Sequence, residues 1–214
     1  SVTETQHEER RDGMADQESL YRALDLENGM TANRYLSSMK ENKEAAAEMY
    51  KAAYLTRDEL DGLRQAVEKH GGRLVVVAMT EDWCGDAAMI LPLLFEAEDQ
   101  IDGLLVRVFR STELPEVESR LRSEGFDHLP VIVFFDAKGY EIGRFMERSS
   151  AADQRVADYW RDKPDPNELM ASKDEANVDK AISMFRQLVA EMQEWYKDVL
   201  WRDTASELIA TLNR

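Results

Sequence analysis

The stretch 83-WCGDAAMILPLL-94 sets a cysteine between a tryptophan and a glycine, follows it with a carboxylate, and runs on through apolar residues around Pro92. Just before it, 73-RLVVVAMT-80 is short, continuous and β-branched, the texture of a strand buried on both faces. Cys84 thus follows a strand and opens a helix expected to reach about Ile101. Free backbone N–H groups and the helix dipole at such a place favour a thiolate, the nucleophilic form of the side chain. Gly85 permits close approach of another chain to the sulfur, and Trp83 can shield one side of it. The plainer reading is that Cys84 is a small buried apolar residue at a strand-to-helix junction.

Working outward, 104-LLVRVFR-110 reads as a second strand and 114–124 as a second helix, with Pro115 tolerated in its first turn. The runs 131-VIVFFD-136 and 140-YEIGRFM-146, joined by a turn at Lys138 and Gly139, read as a hairpin. The first two strands flank a helix and should be parallel with a right-handed crossover; the last two should be antiparallel. The expected fold class is α/β, a central mixed four-stranded sheet flanked by helices, over residues 71–150.

Helical signals lie on either side of this core. Residues 1–16, with His7, are polar and lack a period, and read as an arm. An amino-terminal helical extension is expected over 17–70. Within 31–55, Tyr35, Met39, Ala46, Met49 and Ala53 fall at three- and four-residue steps. Thr56 and Glu59 form a capping-box pattern for a helix ending at His70, whose ring reads as a helix-terminal cation, and 71-GG-72 is its stop signal. A carboxy-terminal helical extension is expected over 151–214. Ser150 can cap a helix reaching about Lys163, 164-PDP-166 stops it, and Thr204 with Glu207 can cap a last short helix. Between them Val178, Ile182, Phe185, Val189, Met192, Tyr196 and Val199 alternate steps of four and three, a heptad seam. The seam can pack on the amino-terminal helices of its own chain or pair two chains as a homodimer through 178–199.

The chain has 214 residues and a formal net charge of -16. That acidity argues against a nucleic-acid partner and against an anionic membrane surface, both of which need a basic face. Neither 74-LVVVAM-79 nor 87-AAMILPLLF-95 approaches the roughly 20 residues of a spanning helix. No basic segment followed by an apolar run and a small-residue cleavage site opens the sequence. Cys84 is the single cysteine, so no internal disulfide can form, which fits a reducing compartment. A soluble, cytoplasmic protein is expected.

The stretch 83-WCGDAAMILP-92 resembles the active-site segment of the thioredoxin family, tryptophan-cysteine-glycine-proline-cysteine followed by a helix kinked at a proline. Trp83, Cys84, Gly85, Met89, Ile90 and Pro92 match in register. The stretch 129-LPVIVFFDAKG-139 resembles the family's second signature, an apolar residue and a cis-proline ahead of a strand and a glycine turn. The likeness covers about residues 60–150, and the order of strands and helices matches the thioredoxin core. The combination 80-TEDWCGDA-87 looks like a bacterial, single-cysteine subgroup with an added amino-terminal helical segment. On this resemblance Cys84 matches the attacking cysteine. Pro130 matches the cis-proline whose loop, with Leu129, faces the sulfur and presents backbone groups to a substrate chain beside Trp83 and Gly85.

The departures bear equally on function. The family's resolving cysteine is replaced by Ala87 and the proline between the cysteines by Asp86. Its buried aspartate falls at Ala78 and the accompanying lysine near Phe109. A two-cysteine cycle within one chain is therefore impossible, and a mixed disulfide on Cys84 would wait for an outside thiol. Asp86 favours the helix start but disfavours a thiolate beside it, and Glu81 and Asp82 push the same way. Asp86 can also serve as a proton donor or acceptor, or bind a substrate amide. His128 can approach the site from the facing loop or be a simple loop residue. No histidine or second cysteine stands at ligand spacing, so no metal is expected, and no cofactor is implied.

Two functions from different classes follow. One is a monothiol thiol–disulfide oxidoreductase acting on a protein disulfide, with a low-molecular-weight thiol as resolving partner. The other is a redox-inactive module whose groove at Trp83 and Pro130 holds an extended peptide. A single-cysteine oxidation sensor is a third, weaker reading.

Overall fold

In the computed structural model, which describes residues 19–214, β1 (Leu74–Thr80) is buried along its whole length. The arm expected at 1–16, with His7, lies outside the described residues. Because a strand sends alternate side chains to opposite faces, β1 feeds two apolar layers. Leu74, Val76 and Ala78 enter one, and Val75, Val77 and Met79 enter the other. The sheet order is β2-β1-β3-β4, with β2 spanning Leu104–Arg110, β3 Val131–Phe135 and β4 Glu141–Met146. β1 pairs parallel with β2, Leu74 opposite Leu104, and antiparallel with β3, Val77 opposite Val133. The β3–β4 pairing is antiparallel, with a register shift between Phe134 and Phe135. This is the mixed four-stranded sheet that the strand texture called for.

The helices before the sheet are α1 (Leu20–Ala23), α2 (Ala32–Ser38), α3 (Lys43–Ala52) and α4 (Arg57–Lys69). The periodic stretch 31–55 is two helices rather than one, because the chain turns through Asn42 at φ 53°. Thr56 and Glu59 close the capping box of α4. Ahead of α2, Met30 pairs antiparallel with Val108, which covers part of the outer edge of β2.

Between the strands run α5 (Gly85–Gln100) and α6 (Pro115–Ser123). α5 is buried nearly throughout its first three turns, including Pro92, so its sequence is apolar on all sides rather than striped. After the sheet come α7 (Ser150–Trp160), α8 (Pro166–Met170), α9 (Glu175–Trp195) and α10 (Trp201–Leu212). The cap of α7 is Ser149, one residue earlier than expected, whose hydroxyl accepts from Ala152 N–H at 3.3 Å. α9 and α10 are joined by one π-helical stretch at Tyr196–Leu200. Thr204 therefore lies inside a continuing helix and caps nothing.

The heptad seam is offset from its expected positions. Ala181 and Leu188 are buried while Ile182 and Val189 are half-buried, Met192 and Tyr196 are buried, and within the π turn Leu200 is buried while Val199 is exposed. The buried face lies against α3 and α5 of the same chain, and Gln193 reaches Glu48 at 3.1 Å. Among the described residues, no helix is long and apolar enough to cross a membrane.

Candidate functional site

The end of β1 delivers the chain through Glu81–Trp83 to Cys84, which sits at the N-cap of α5. Its sulfur accepts from Ala87 N–H at 3.5 Å, so the thiol takes the place that a serine or aspartate oxygen fills at other helix starts. Facing it across the groove, the Leu129–Pro130 peptide bond is cis, and the thiol S–H points to Leu129 O at 3.4 Å. The geometry thus brings Cys84, Leu129 and Pro130 together.

Cys84 is buried, and the thiol is pushed up to about 12. Burial in apolar surroundings is the first cause and the Asp86 charge the second. The N–H groups of Ala87 and Asp86 and the Thr80 hydroxyl pull the other way without prevailing. At neutral pH the protonated thiol is then favoured. The helix start, expected to favour thiolate, is outweighed by desolvation.

Asp86 is buried and meets Arg148 in a two-point pair, with Nε–Oδ1 at 2.9 Å and Nη2–Oδ2 at 2.8 Å. Arg148 also bonds Glu147 and, at 3.2 Å, Asp153. Three carboxylates share one guanidinium. Burial raises the Asp86 carboxyl above its usual range although Arg148 lowers it, and burial likewise raises Glu147. Glu147 itself is held at φ 61°, where a residue with a Cβ rarely sits, by its N–H bonded to Pro130 O at 2.8 Å. The two signature loops are thereby tied together through backbone as well as charge.

Glu81 and Asp82 do not crowd the sulfur as expected. Asp82 is spent on Arg110, at 2.9 Å, and on Lys40 N–H, at 3.0 Å, while Glu81 accepts from Thr112 N–H. Trp83 does not shield the sulfur either: its side chain turns outward and is 60% exposed. His128 is largely exposed and its ring meets Asp127 at 2.8 Å. Among the described residues, no group of three or more His, Cys, Asp or Glu could hold a metal ion.

What shields the site instead comes from the carboxy-terminal extension. A Cβ on Gly85 would stand 3.0 Å from Val189 Cγ2, so α9 lies directly on the glycine beside the thiol. The chain that the glycine lets near the sulfur is the protein's own. Tyr196 is buried next to Asp86, Arg148 and Cys84, and its hydroxyl has no hydrogen-bond partner among the described residues. The Tyr35 phenol is also buried and lies near Cys84, Asp82 and Thr80. Burial drives both phenols upward.

Sequence reasoning did not place Arg148, Tyr196 or Val189 at the site. The dipeptide 147-ER-148 at the end of β4 carried a signal, being a charged pair beside the hairpin that follows Pro130. Tyr196 and Val189 were visible as seam residues, but nothing in a seam says which surface it covers.

The family described as thioredoxin matches residues 29–161. No curated protein matches the chain. Among solved structures, a Pseudomonas aeruginosa protein of unknown function aligns over 92% of this chain and 98% of its own, at 13% identity and a TM-score of 0.58. An HIV epitope scaffold aligns over 91% of this chain and 95% of its own, at 12% identity and a TM-score of 0.54. Both share the fold across the helical extensions as well as the sheet. A reduced thioredoxin pre-protein from Schistosoma mansoni aligns over 45% of this chain and 88% of its own, at 26% identity and a TM-score of 0.31.

Proposed function

The chain belongs to the thioredoxin family, and from that premise we propose that it is a redox-silent, peptide-binding member, acting through the groove between Trp83 and the Leu129–Pro130 loop. The carrying observation is the burial of the Cys84 thiol, held between Leu129 O and Ala87 N–H with Asp86 beside it. A nucleophile must be ionised and reachable, and burial opposes both. The groove keeps the other half of the family's equipment. Trp83 offers an exposed aromatic face beside the cis Leu129–Pro130 peptide, a place for an extended guest chain. A small cytoplasmic protein of bacterial, W-C-G-D-A type fits this reading.

The test pairs two variants. Cys84→Ser should leave the affinity for a selected extended peptide unchanged, and Trp83→Ala should weaken it about tenfold or more, the weight of one aromatic anchor. Loss of peptide binding in Cys84→Ser would sink the proposal.

A second reading, monothiol exchange, is favoured by one observation: the sulfur faces the cis-proline loop at 3.4 Å, where a substrate disulfide would lie. Cys84 would attack a mixed disulfide between a protein and a small thiol and carry the small thiol away. A second small-thiol molecule would release it as a small disulfide and restore Cys84. Turnover of a glutathionylated peptide with glutathione as co-substrate, at a rate above the uncatalysed exchange and absent in Cys84→Ser, would decide for this reading.

A further inference from the structure

α9 is a 21-residue helix whose Val189 meets the site at Gly85. Of its residues only Ala181, Leu188 and Met192 are buried. It leaves α7 through an exposed, proline-bearing link at 161–165 and the short α8, and it enters α10 through the π turn at Tyr196–Leu200. A π turn inside an otherwise regular helix departs from the i→i−4 ladder and is a place where helices kink. Leu188 and Met192 set one face of α9 into the core, and towards α7 it is fastened by half-buried aromatic rings. Trp160 meets Phe185 at 6.1 Å and Tyr159 meets Trp195 at 5.7 Å, both edge-on, and Arg155 lies 5.0 Å over the Trp195 ring. At the start of the π turn, buried Tyr196 places an unpartnered hydroxyl near Cys84, Asp86, Arg148 and Glu147.

From this placement we propose that α9 is a releasable strap: it closes the Cys84–Gly85 groove with Val189 and opens it by swinging about the Tyr196–Leu200 turn. The inference rests on the groove being the binding surface assigned above and adds how access to it is controlled. With the strap closed, Val189 stands on Gly85 and no second chain can approach the sulfur from that side. With it open, Gly85 and the thiol face solvent, and the first cause of the thiol's resistance to ionisation, its burial, is relieved. The unmet Tyr196 hydroxyl biases the balance toward opening, since an unpaired buried polar group gains a water partner on exposure. The aromatic clamp with α7 biases it toward closure.

The experiment uses the full chain and its one thiol. Cys84 is alkylated with iodoacetamide at fixed pH, alongside amide hydrogen exchange. In the wild-type protein the amides of α9 should exchange ahead of those of α10. Val189→Asp puts a charge against the groove and should speed alkylation about tenfold or more while the amides of α5 and α10 keep their protection. Phe185→Ala loosens the clamp at a distance from the sulfur and should move alkylation in the same direction, and it serves if Val189→Asp does not fold. The strap is overturned if α9 and α10 exchange together, or if Phe185→Ala releases the α9 amides while Cys84 labels no faster than in the wild type. These readouts involve no peptide, so the strap can stand or fall apart from peptide binding.

Discussion

α9 and α10 are neighbours in one helical run, yet the structure uses them in opposite ways. α10 buries Trp201, Thr204, Ala205, Leu208, Thr211 and Leu212, half of its residues, whereas α9 buries three. α10 lies on α4 and β4. It comes so close to the strand that a Cβ on Gly143 would stand 2.9 Å from Thr211 Cγ2. Its Trp201 N–H donates to Met89 O at 2.8 Å in α5, and its last carbonyls reach back to α4, where His70 Nε2 meets Leu212 O at 2.8 Å. α10 is a wall of the core. α9 is an amphipathic rod laid on α3, α5 and the thiol site. The contrast teaches that a terminal extension need not be one functional unit: the half after the π turn replaces solvent on the sheet and supplies stability, and the half before it governs access.

The sharpest way to break the contrast is Trp201→Ala, which removes a fully buried indole and its hydrogen bond to Met89 O. It should cost about 3–5 kcal/mol, read as a fall in the urea midpoint with loss of the native near-ultraviolet signal. Matched leucines follow. Leu208→Ala in α10 should cost roughly 2–5 kcal/mol, and Leu188→Ala in α9 well under half as much, because the strap can settle onto the smaller side chain. Equal losses would make α9 as much a part of the core as α10.

The buried thiol supplies a smaller, pH-dependent effect. Its folded value, about 12, lies above the unfolded value, so its contribution to stability is full below about pH 8.5 and is lost as pH rises toward 12. Between pH 7 and pH 10 the wild type should lose roughly 1–2 kcal/mol more than Cys84→Ala does in urea titrations. A parallel pair of stability curves would mean that the thiol is not sequestered. The smallest effect belongs to Gly85→Ala. Its new methyl must push Val189 outward by a few tenths of an ångström, so overall stability should change by no more than about 1 kcal/mol. The α9 amides alone should exchange faster.

The sequence by itself determined the sheet and the place of the site. Continuous apolar runs at 74–80 and 131–135 specify strands with two buried faces, and Cys84 after a strand with Pro130 before one fixes both loops, because these signals are local. The capping box at Thr56 and Glu59 was legible for the same reason. The break at Asn42, the cap at Ser149 and the π turn at Tyr196 were not, since each depends on how a helix must bend to meet surfaces distant in the chain. Only the tertiary structure decided the chemistry. Arg148 reaches Asp86 across 62 positions and Val189 meets Gly85 across more than 100, and no sequence window contains either pair. Ionisation of a thiol depends on what surrounds it on every side. The sequence supplied the helix start and the neighbouring acids, and the burial that outweighed the helix start came from residues that only folding brings to Cys84.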